Sequence, residues 1–141
     1  MLLPVTIHDH NLIALLDSGS TTNFIGADLL PRLGITADPR PSLRVLVANG
    51  DRVPCQGIAR NVALTIDKEA FDIGCYDINL EEFDIILGIE FLQTQGLVLW
   101  DFRALHMSFS RGNRHIQWSG LRSRHGAGTD LVTHAVTGAP E

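Results

Sequence analysis

The segment LIALLDSGST, residues 12–21, places an aspartate directly after five apolar residues. The apolar run is typical of a buried strand, so we expect Asp17 to stand at the tip of that strand. A carboxylate in such a position is costly to remove from water unless it is hydrogen-bonded or has a chemical role. The small residues Ser18, Gly19 and Ser20 leave room for backbone and hydroxyl groups around it. Since the tetrapeptide DSGS occurs once, chemistry that needs two such carboxylates requires a second chain.

The composition favours one globular domain and argues against several classes of partner. The chain has 141 residues, of which 45% are hydrophobic and 19% charged, enough for a single core. A net charge of −5 argues against a nucleic-acid groove, so we expect no nucleic-acid partner. No apolar run approaches the roughly 20 residues that span a bilayer, and the first residues lack the features of a signal peptide, so we expect no membrane partner. Cys55 and Cys75 form neither a CxxC pair nor a disulfide framework, which fits packed thiols or a reducing location, the cytoplasm or an intracellular particle.

Glycine and proline divide the chain into short pieces that are mostly strand-like. Asn49-Gly50 is a strong hairpin signal, and Asn23 is a candidate cap for a short helix that Gly34 ends. Many short strands with little helix predict an all-β fold, a small and curled domain with one or two short helices. The predicted strands are residues 4–7, 12–16, 42–48, 52–56, 61–66, 71–76, 83–87, 97–100, 104–109 and 115–118, and residues 90–95 are predicted to be helical.

The C-terminal part of the sequence differs in composition from the rest. From Ser119 onward Gly, Ser, Arg and Thr dominate, without hydrophobic periodicity. Such a composition is typical of linkers and chain ends. We therefore expect residues 1–118 to form the domain and residues 119–141 to form a flexible tail or linker.

Three motifs follow one another along the chain. Residues 15–21 contain the DSGS turn, Asn49-Gly50 marks a hairpin, and Ile86-Leu87-Gly88 is an apolar pair followed by glycine. In this order and at these separations they resemble the retropepsins, the aspartic proteases of retroviruses and LTR retrotransposons. The resemblance covers residues 1–118 and is closer still to gypsy-type LTR retrotransposons, through residues 17–20, 23–25, 47–50 and 100–102.

This resemblance implies a fold and a mechanism. The fold is an all-β, closed and curled acid-protease (retropepsin) lobe, active as a homodimer in which each copy contributes Asp17. Two carboxylates a few ångströms apart share one proton, because both cannot easily ionise together. The ionised carboxylate takes a proton from water, which attacks the scissile carbonyl, while the protonated one hydrogen-bonds the carbonyl oxygen. The chemistry needs no cofactor and no metal, and the implied substrate is an extended polypeptide, a Gag-Pol-type polyprotein of a retroelement.

The resemblance also implies roles for the neighbours of Asp17. Ser18 is expected to reach the loop backbone of the second copy. Gly19 lets its own N–H come close enough to bond the carboxylate. The Ser20 hydroxyl is expected to bond the outer oxygen of Asp17, which favours the ionised form and an acid-leaning pH optimum.

Two further motifs complete the implied site. The Asn49-Gly50 hairpin is expected to be the tip of a substrate-binding flap, a mobile hairpin that covers the substrate and excludes water. The Ile86-Leu87-Gly88 motif is expected to pack beneath the Asp17 turn, where its glycine allows close approach of the backbone. The flap residues are Ala48, Asn49, Gly50 and Asp51, and the support residues are Ile86, Leu87 and Gly88.

Plainer interpretations of these residues remain open. Asp17 can be an ordinary turn residue, since Asp-Ser-Gly is common turn chemistry, and Asn49-Gly50 can be an ordinary hairpin. His8 and His10 suggest a metal site, but they lie in a polar turn and no third ligand stands at a recognisable spacing. Ser18 as a nucleophile lacks the Gly-x-Ser-x-Gly elbow.

Two other functions are compatible with the same motif. A catalytically inactive or domesticated retropepsin lobe would keep the fold and act as a dimerisation or peptide-binding module. Residues 17–22 also approximate the phosphodegron Asp-Ser-Gly-x-x-Ser, with Thr22 in place of the last serine. A degron must be exposed and flexible, whereas this segment follows an apolar strand and precedes Phe24-Ile25.

Overall fold

The computed structural model of the chain describes residues 1–40, 43–46 and 52–122. Within these residues the chain is mainly β-structure, and neither of the two helices has the length and hydropathy that a bilayer span requires. The predicted flap tip (Ala48, Asn49, Gly50 and Asp51) and residues 123–141 of the predicted tail lie outside the described residues. The strands are β1 (Leu2–Ile7), β2 (His10–Leu16), β3 (Phe24–Gly26), β4 (Asp38–Pro39), β5 (Arg44–Leu46), β6 (Arg52–Pro54), β7 (Gly57–Ile66), β8 (Glu69–Ile78), β9 (Ile85–Leu87), β10 (Val98–Asp101), β11 (His106–Arg111) and β12 (Arg114–Ser119), and the helices are α1 (Leu29–Leu33) and α2 (Ile89–Leu92), the latter followed by a 3-10 turn (Gln93–Gln95).

Six of the described strands close into a barrel, in the order β1, β2, β9, β3, β8 and β7. The barrel closes where β1 meets β7, with Thr6 opposite Thr65, and β4 extends the sheet beside β7. Most neighbours are antiparallel, but β9 runs parallel to β2 and β3 runs parallel to β8. The prediction of an all-β, closed and curled lobe with short helices is confirmed.

Strand β9 lies between β2 and β3, and it places the Ile86-Leu87-Gly88 motif beside the DSGS turn. Its side chains are fully buried: Ile85 and Leu87 pack into the larger hydrophobic cluster, and Ile86 packs into the smaller one. Successive side chains on a strand point to opposite faces, so this short strand joins both clusters. Its last residue, Leu87, lies opposite Leu16 at the end of β2.

A three-stranded antiparallel sheet of β10, β11 and β12 packs against the barrel. Trp118 and Phe109 are buried in the same cluster as the barrel side chains. The Trp118 ring packs edge-on against Phe71 and Phe109, with ring centroids 5.7 and 5.0 Å apart. Trp118 is therefore a core aromatic. Beyond it the chain continues to Leu121, whose N–H donates to the Leu2 carbonyl at 2.7 Å.

The region before the first helix differs from the local prediction. Asn23 does not cap the helix, because residues 24–26 form β3, which pairs with both β8 and β9. Helix α1 begins at Leu29 after Asp28, whose side chain makes no capping hydrogen bond. Gly34 ends the helix in the left-handed conformation, with φ of 70°, as predicted.

Candidate active site

Asp17 follows β2 directly, and its backbone is held on both sides. Strand β2 ends at Leu16, and the next N–H, that of Asp17, donates to the Leu87 carbonyl at 3.0 Å. The Ser20 N–H donates to the Asp17 carbonyl at 3.1 Å and closes a tight turn. Residues 17–23, here called the Asp17 loop, thus begin at a position that the barrel fixes.

The two carboxylate oxygens of Asp17 have different surroundings. Oδ1 accepts the Gly19 N–H at 2.9 Å, the hydrogen bond that the sequence resemblance implied. Oδ2 is buried and has no hydrogen-bond partner among the described residues. A buried carboxylate oxygen without a donor is costly. Oδ2 is therefore an acceptor to which the described residues supply no hydrogen bond.

The two serines of the loop differ in exposure and in role. Ser18 is exposed at the surface of the loop. Ser20 is fully buried, and its hydroxyl donates to the Thr22 carbonyl at 2.8 Å. The prediction that this hydroxyl donates to the outer oxygen of Asp17 is wrong. A hydroxyl has a single proton, and here the Thr22 carbonyl accepts it. Ser20 shapes the loop and does not solvate the carboxylate.

The predicted support segment, residues 86–88, lies against the Asp17 loop. The contact is closest at Gly88, where a Cβ atom would lie 2.5 Å from the Ser20 carbonyl oxygen and would also clash with that of Thr22. The next N–H, that of Ile89 in α2, donates to the Ser20 carbonyl at 2.8 Å. Glycine is therefore required here for packing of backbone on backbone.

Asn23 belongs to the site, although the sequence predicted it to be a helix cap. It is 2% exposed, and its side-chain oxygen accepts the Gly88 N–H at 2.9 Å. Its side-chain nitrogen donates to the Gly74 carbonyl at 3.1 Å. These partners lie 65 and 51 residues further along the chain, so no local pattern could have identified them.

The base of the predicted flap hairpin lies within the described residues, and the tip, residues 48–51, lies outside them. Strands β5 and β6 pair antiparallel, with Val45 opposite Val53. Gly57, the first residue of β7, follows β6 closely in the chain. Its N–H donates to the carboxylate of the buried Asp77 on β8 at 2.7 Å. The hairpin is thereby anchored to the barrel where β7 begins.

His8 and the two cysteines are occupied in structural contacts. The His8 ring nitrogen Nδ1 lies 2.7 Å from the Leu33 carbonyl, and within the described ranges no three His, Cys, Asp or Glu side chains form a potential metal cluster. Cys55 and Cys75 are buried free thiols, and burial raises the pKa of both. Both thiols are packed, as one of the two sequence interpretations proposed.

Comparison with known families identifies the class of protein that this fold and loop define. Residues 3–91 match the aspartyl protease family, and the matched part is more than half of the chain. The chain belongs to that family. A comparison with curated protein sequences found no match.

Comparison with solved structures identifies the fold. The retroviral protease-like domain of Ddi1 from Leishmania major superposes with a TM-score of 0.63 at 17% sequence identity, over 82% of this chain and 90% of that domain. The EIAV protease, solved in complex with the inhibitor HBY-793, gives a TM-score of 0.55 at 23% identity, over 70% of this chain and 92% of that protease. The lobe therefore has the retropepsin fold, as the resemblance implied.

Proposed function

We propose that this chain is an aspartic endopeptidase that acts as a homodimer on extended polypeptides. The observation that carries the proposal is the state of Asp17, an aspartate with a fixed backbone whose Oδ2 is buried without a partner among the described residues. The DSGS tetrapeptide occurs once, so a mechanism with two carboxylates draws the second Asp17 from another copy. Membership of the aspartyl protease family supports the same chemistry.

In the proposed dimer the two Asp17 side chains meet across a two-fold axis. Repulsion between like charges leaves one proton shared by the pair. The unprotonated carboxylate accepts a proton from water, whose oxygen attacks the carbonyl carbon, and the protonated one hydrogen-bonds the carbonyl oxygen. The carbon–nitrogen bond then breaks as the pair delivers a proton to the leaving amine. Because Oδ2 accepts no hydrogen bond from the described residues, the proposal assigns the shared proton to this oxygen.

Residues around the Asp17 pair have supporting roles in this proposal. Ser18 is exposed, which leaves its hydroxyl free to reach the loop of the second copy. The flap, with its proposed tip at residues 48–51, closes over the substrate and excludes water. Residues 86–88 support the loop from below through the contacts at Gly88.

We further infer the context in which such an enzyme works. The order of the motifs at residues 17–20, 23–25, 47–50 and 100–102 favours a gypsy-type retroelement. The substrate is then a Gag-Pol-type polyprotein, and cleavage occurs in extended segments that lie between folded domains. The reaction uses water and carboxylates, so the proposal includes no cofactor and no metal.

The experiment that tests the proposed function compares the wild-type chain with Asp17→Asn. Both are incubated at mildly acidic pH with the chain's own extended precursor and with a library of extended peptides, and products are identified by mass spectrometry. Sedimentation measures dimer formation in the same samples. We expect cleavage by the wild type and a loss of at least about a thousandfold in Asp17→Asn, since removing a catalytic acid–base group costs this order of rate.

A matched control is Asp28→Asn, because Asp28 is exposed and makes no capping bond. It should cleave like the wild type. Cleavage that survives in Asp17→Asn would exclude the proposed mechanism. A wild-type dimer that cleaves no substrate would instead favour the alternative, an inactive lobe that serves as a dimerisation or peptide-binding module.

A further inference from the structure

We propose that Asn23 is a positioning residue that sets the orientation of the Asp17 backbone through a single peptide group. The inference deepens the proposed function, because it assigns a role in the same site to a residue outside the DSGS motif. Asn23 is buried, and both ends of its side-chain amide are hydrogen-bonded.

The peptide group between Leu87 and Gly88 is bonded at both of its polar atoms. Its carbonyl, that of Leu87, accepts the Asp17 N–H at 3.0 Å. Its N–H, that of Gly88, donates to Asn23 Oδ1 at 2.9 Å. A peptide group is planar, so a rotation that frees one of these atoms also displaces the other. Asn23 therefore fixes the acceptor that holds the first residue of the Asp17 loop.

The same contacts fix the other end of the loop. The Asn23 carbonyl accepts the Tyr76 N–H at 3.0 Å, and Asn23 Nδ2 donates to the Gly74 carbonyl at 3.1 Å, both on β8. The loop thus begins at one side of the Leu87–Gly88 peptide group and ends at the other side, with β8 as its support. This arrangement leaves the loop little freedom to change the direction of the Asp17 carboxylate.

The chemistry of the contacts explains why an asparagine is needed. The position requires one acceptor toward the Gly88 N–H and one donor toward the Gly74 carbonyl, on a planar group of this length. An amide supplies both. An ionised aspartate has the same shape but no donor, and it would set a negative oxygen against the Gly74 carbonyl. A protonated aspartate restores the donor.

This difference gives a test in which pH controls the interaction. Values of kcat and KM are measured for the wild type and Asn23→Asp from pH 3.5 to pH 7, with thermal unfolding followed at each pH. The ratio of the variant's kcat to the wild type's should be near one at the acid end. It should fall at least about tenfold as the new carboxyl ionises, with little change in KM and with the protein still folded, since one buried hydrogen bond is lost.

Two controls separate the effect from general electrostatics. Asp72, Glu90 and Arg111 line the same groove as Asn23, so the profiles are recorded at low and at high salt. Asn113→Asp makes the same change at an exposed turn between β11 and β12, and its ratio should stay constant with pH. A constant ratio for folded Asn23→Asp would overturn the inference.

A second measurement does not depend on catalysis. Amide hydrogen exchange is compared between the wild type and Asn23→Ala at Asp17, Gly88 and, for reference, Leu64 in β7. Exchange at Asp17 and Gly88 should become at least about tenfold faster relative to Leu64. An unchanged Asp17 amide would overturn the inference even in an active enzyme. Failure of the proposed function would appear separately, as equal cleavage by the wild type and Asp17→Asn.

Discussion

Gly88 is the residue at which the packing of the site is most demanding. A Cβ atom there would lie 2.5 Å from the Ser20 carbonyl oxygen, and this neighbour is backbone that cannot rotate away. We expect Gly88→Ala to lower the free energy of unfolding by about 1–3 kcal/mol, the usual cost of overpacking. Cleavage should fall as well, because the displaced loop carries Asp17. Urea unfolding and kcat/KM measure the two effects.

The control for this prediction is Gly74, whose carbonyl accepts a hydrogen bond from Asn23. At Gly74 a Cβ atom would lie 3.8 Å from the Ala59 carbonyl oxygen, an ordinary van der Waals distance. Gly74→Ala should therefore change the free energy of unfolding by less than about 1 kcal/mol, partly through the reduced entropy of the unfolded chain. An equal loss in the two variants would contradict the packing argument.

Individual residues of the site were predictable to different degrees. Asp17 and Gly88 stand in local motifs, so the sequence alone located both. Asn23 looked like a helix cap, because asparagine before a helical segment is typical of caps. Its partners lie on β8 and after β9, so its role is visible only once the barrel has closed. The Ser20 hydroxyl was assigned to the wrong acceptor for the same reason, since a turn sequence does not specify which carbonyl lies nearest.

At the scale of elements, Glu69 joins the β7–β8 hairpin to the β11–β12 hairpin. Its buried carboxylate accepts two hydrogen bonds of 2.7 Å from Arg114 and one of 3.1 Å from Arg111. The Arg111 guanidinium also lies over the Phe71 ring, 4.3 Å from its centroid. The hydrogen bond from Arg114, more than that from Arg111, holds the pKa of Glu69 below its ordinary value although desolvation opposes this.

This contact predicts a pH-dependent contribution to stability. Since the pKa of Glu69 is lowered by folding, its stabilisation is complete above the unfolded value of about 4.3 and is lost as the pH falls through the folded value. Glu69→Gln should therefore lower Tm by a few degrees at pH 7, and the difference from the wild type should shrink as the medium becomes more acidic. Thermal unfolding at pH 7 and pH 3 measures it.

An exposed ion pair provides the comparison for Glu69. Arg60 and Asp38 lie 2.8 Å apart, with side chains 56% and 57% exposed. Exposed pairs contribute little, so Asp38→Asn should leave Tm nearly unchanged at both pH values. A Tm difference for Glu69→Gln that is the same at pH 7 and pH 3 would mean that packing, and not charge, explains its effect.

The sequence predicted most of these elements because most have a clear local pattern. Strands β7 and β8 alternate buried and exposed residues over much of their length, and their existence was evident. Strands β3 and β4, of three and two residues, were missed because they are too short for any periodicity and form only by pairing with distant strands. The predicted strands at residues 4–7 and 12–16 were shorter than β1 and β2, because the pairing of these two strands with each other extends both.

At the scale of the whole molecule, strand β10 presents an uncovered apolar surface. Leu97, just before this strand, is 92% exposed, and Leu99 within it is 75% exposed. Val98 and Trp100 face the core, so the alternate positions point outward. Within the described residues β10 pairs only with β11, which leaves its other edge open. Such an edge suits the second copy that the proposed two-aspartate site requires.

We therefore expect charge on this surface to weaken the proposed dimer and its activity together. In Leu99→Asp each copy loses an apolar contact worth about 1.5–3 kcal/mol when buried, so the dissociation constant of the dimer should rise at least about tenfold. Specific activity should fall at low enzyme concentration and recover at high concentration, because mass action restores the dimer. Asn113→Asp puts the same charge on the exposed turn between β11 and β12, beyond the residues that pair with β10, and should dimerise like the wild type. Sedimentation and cleavage over one dilution series measure both effects. If Leu99→Asp dimerises as tightly as Asn113→Asp, the copies meet at another surface. Constant specific activity through a measured dissociation would exclude a catalytic site built from two chains.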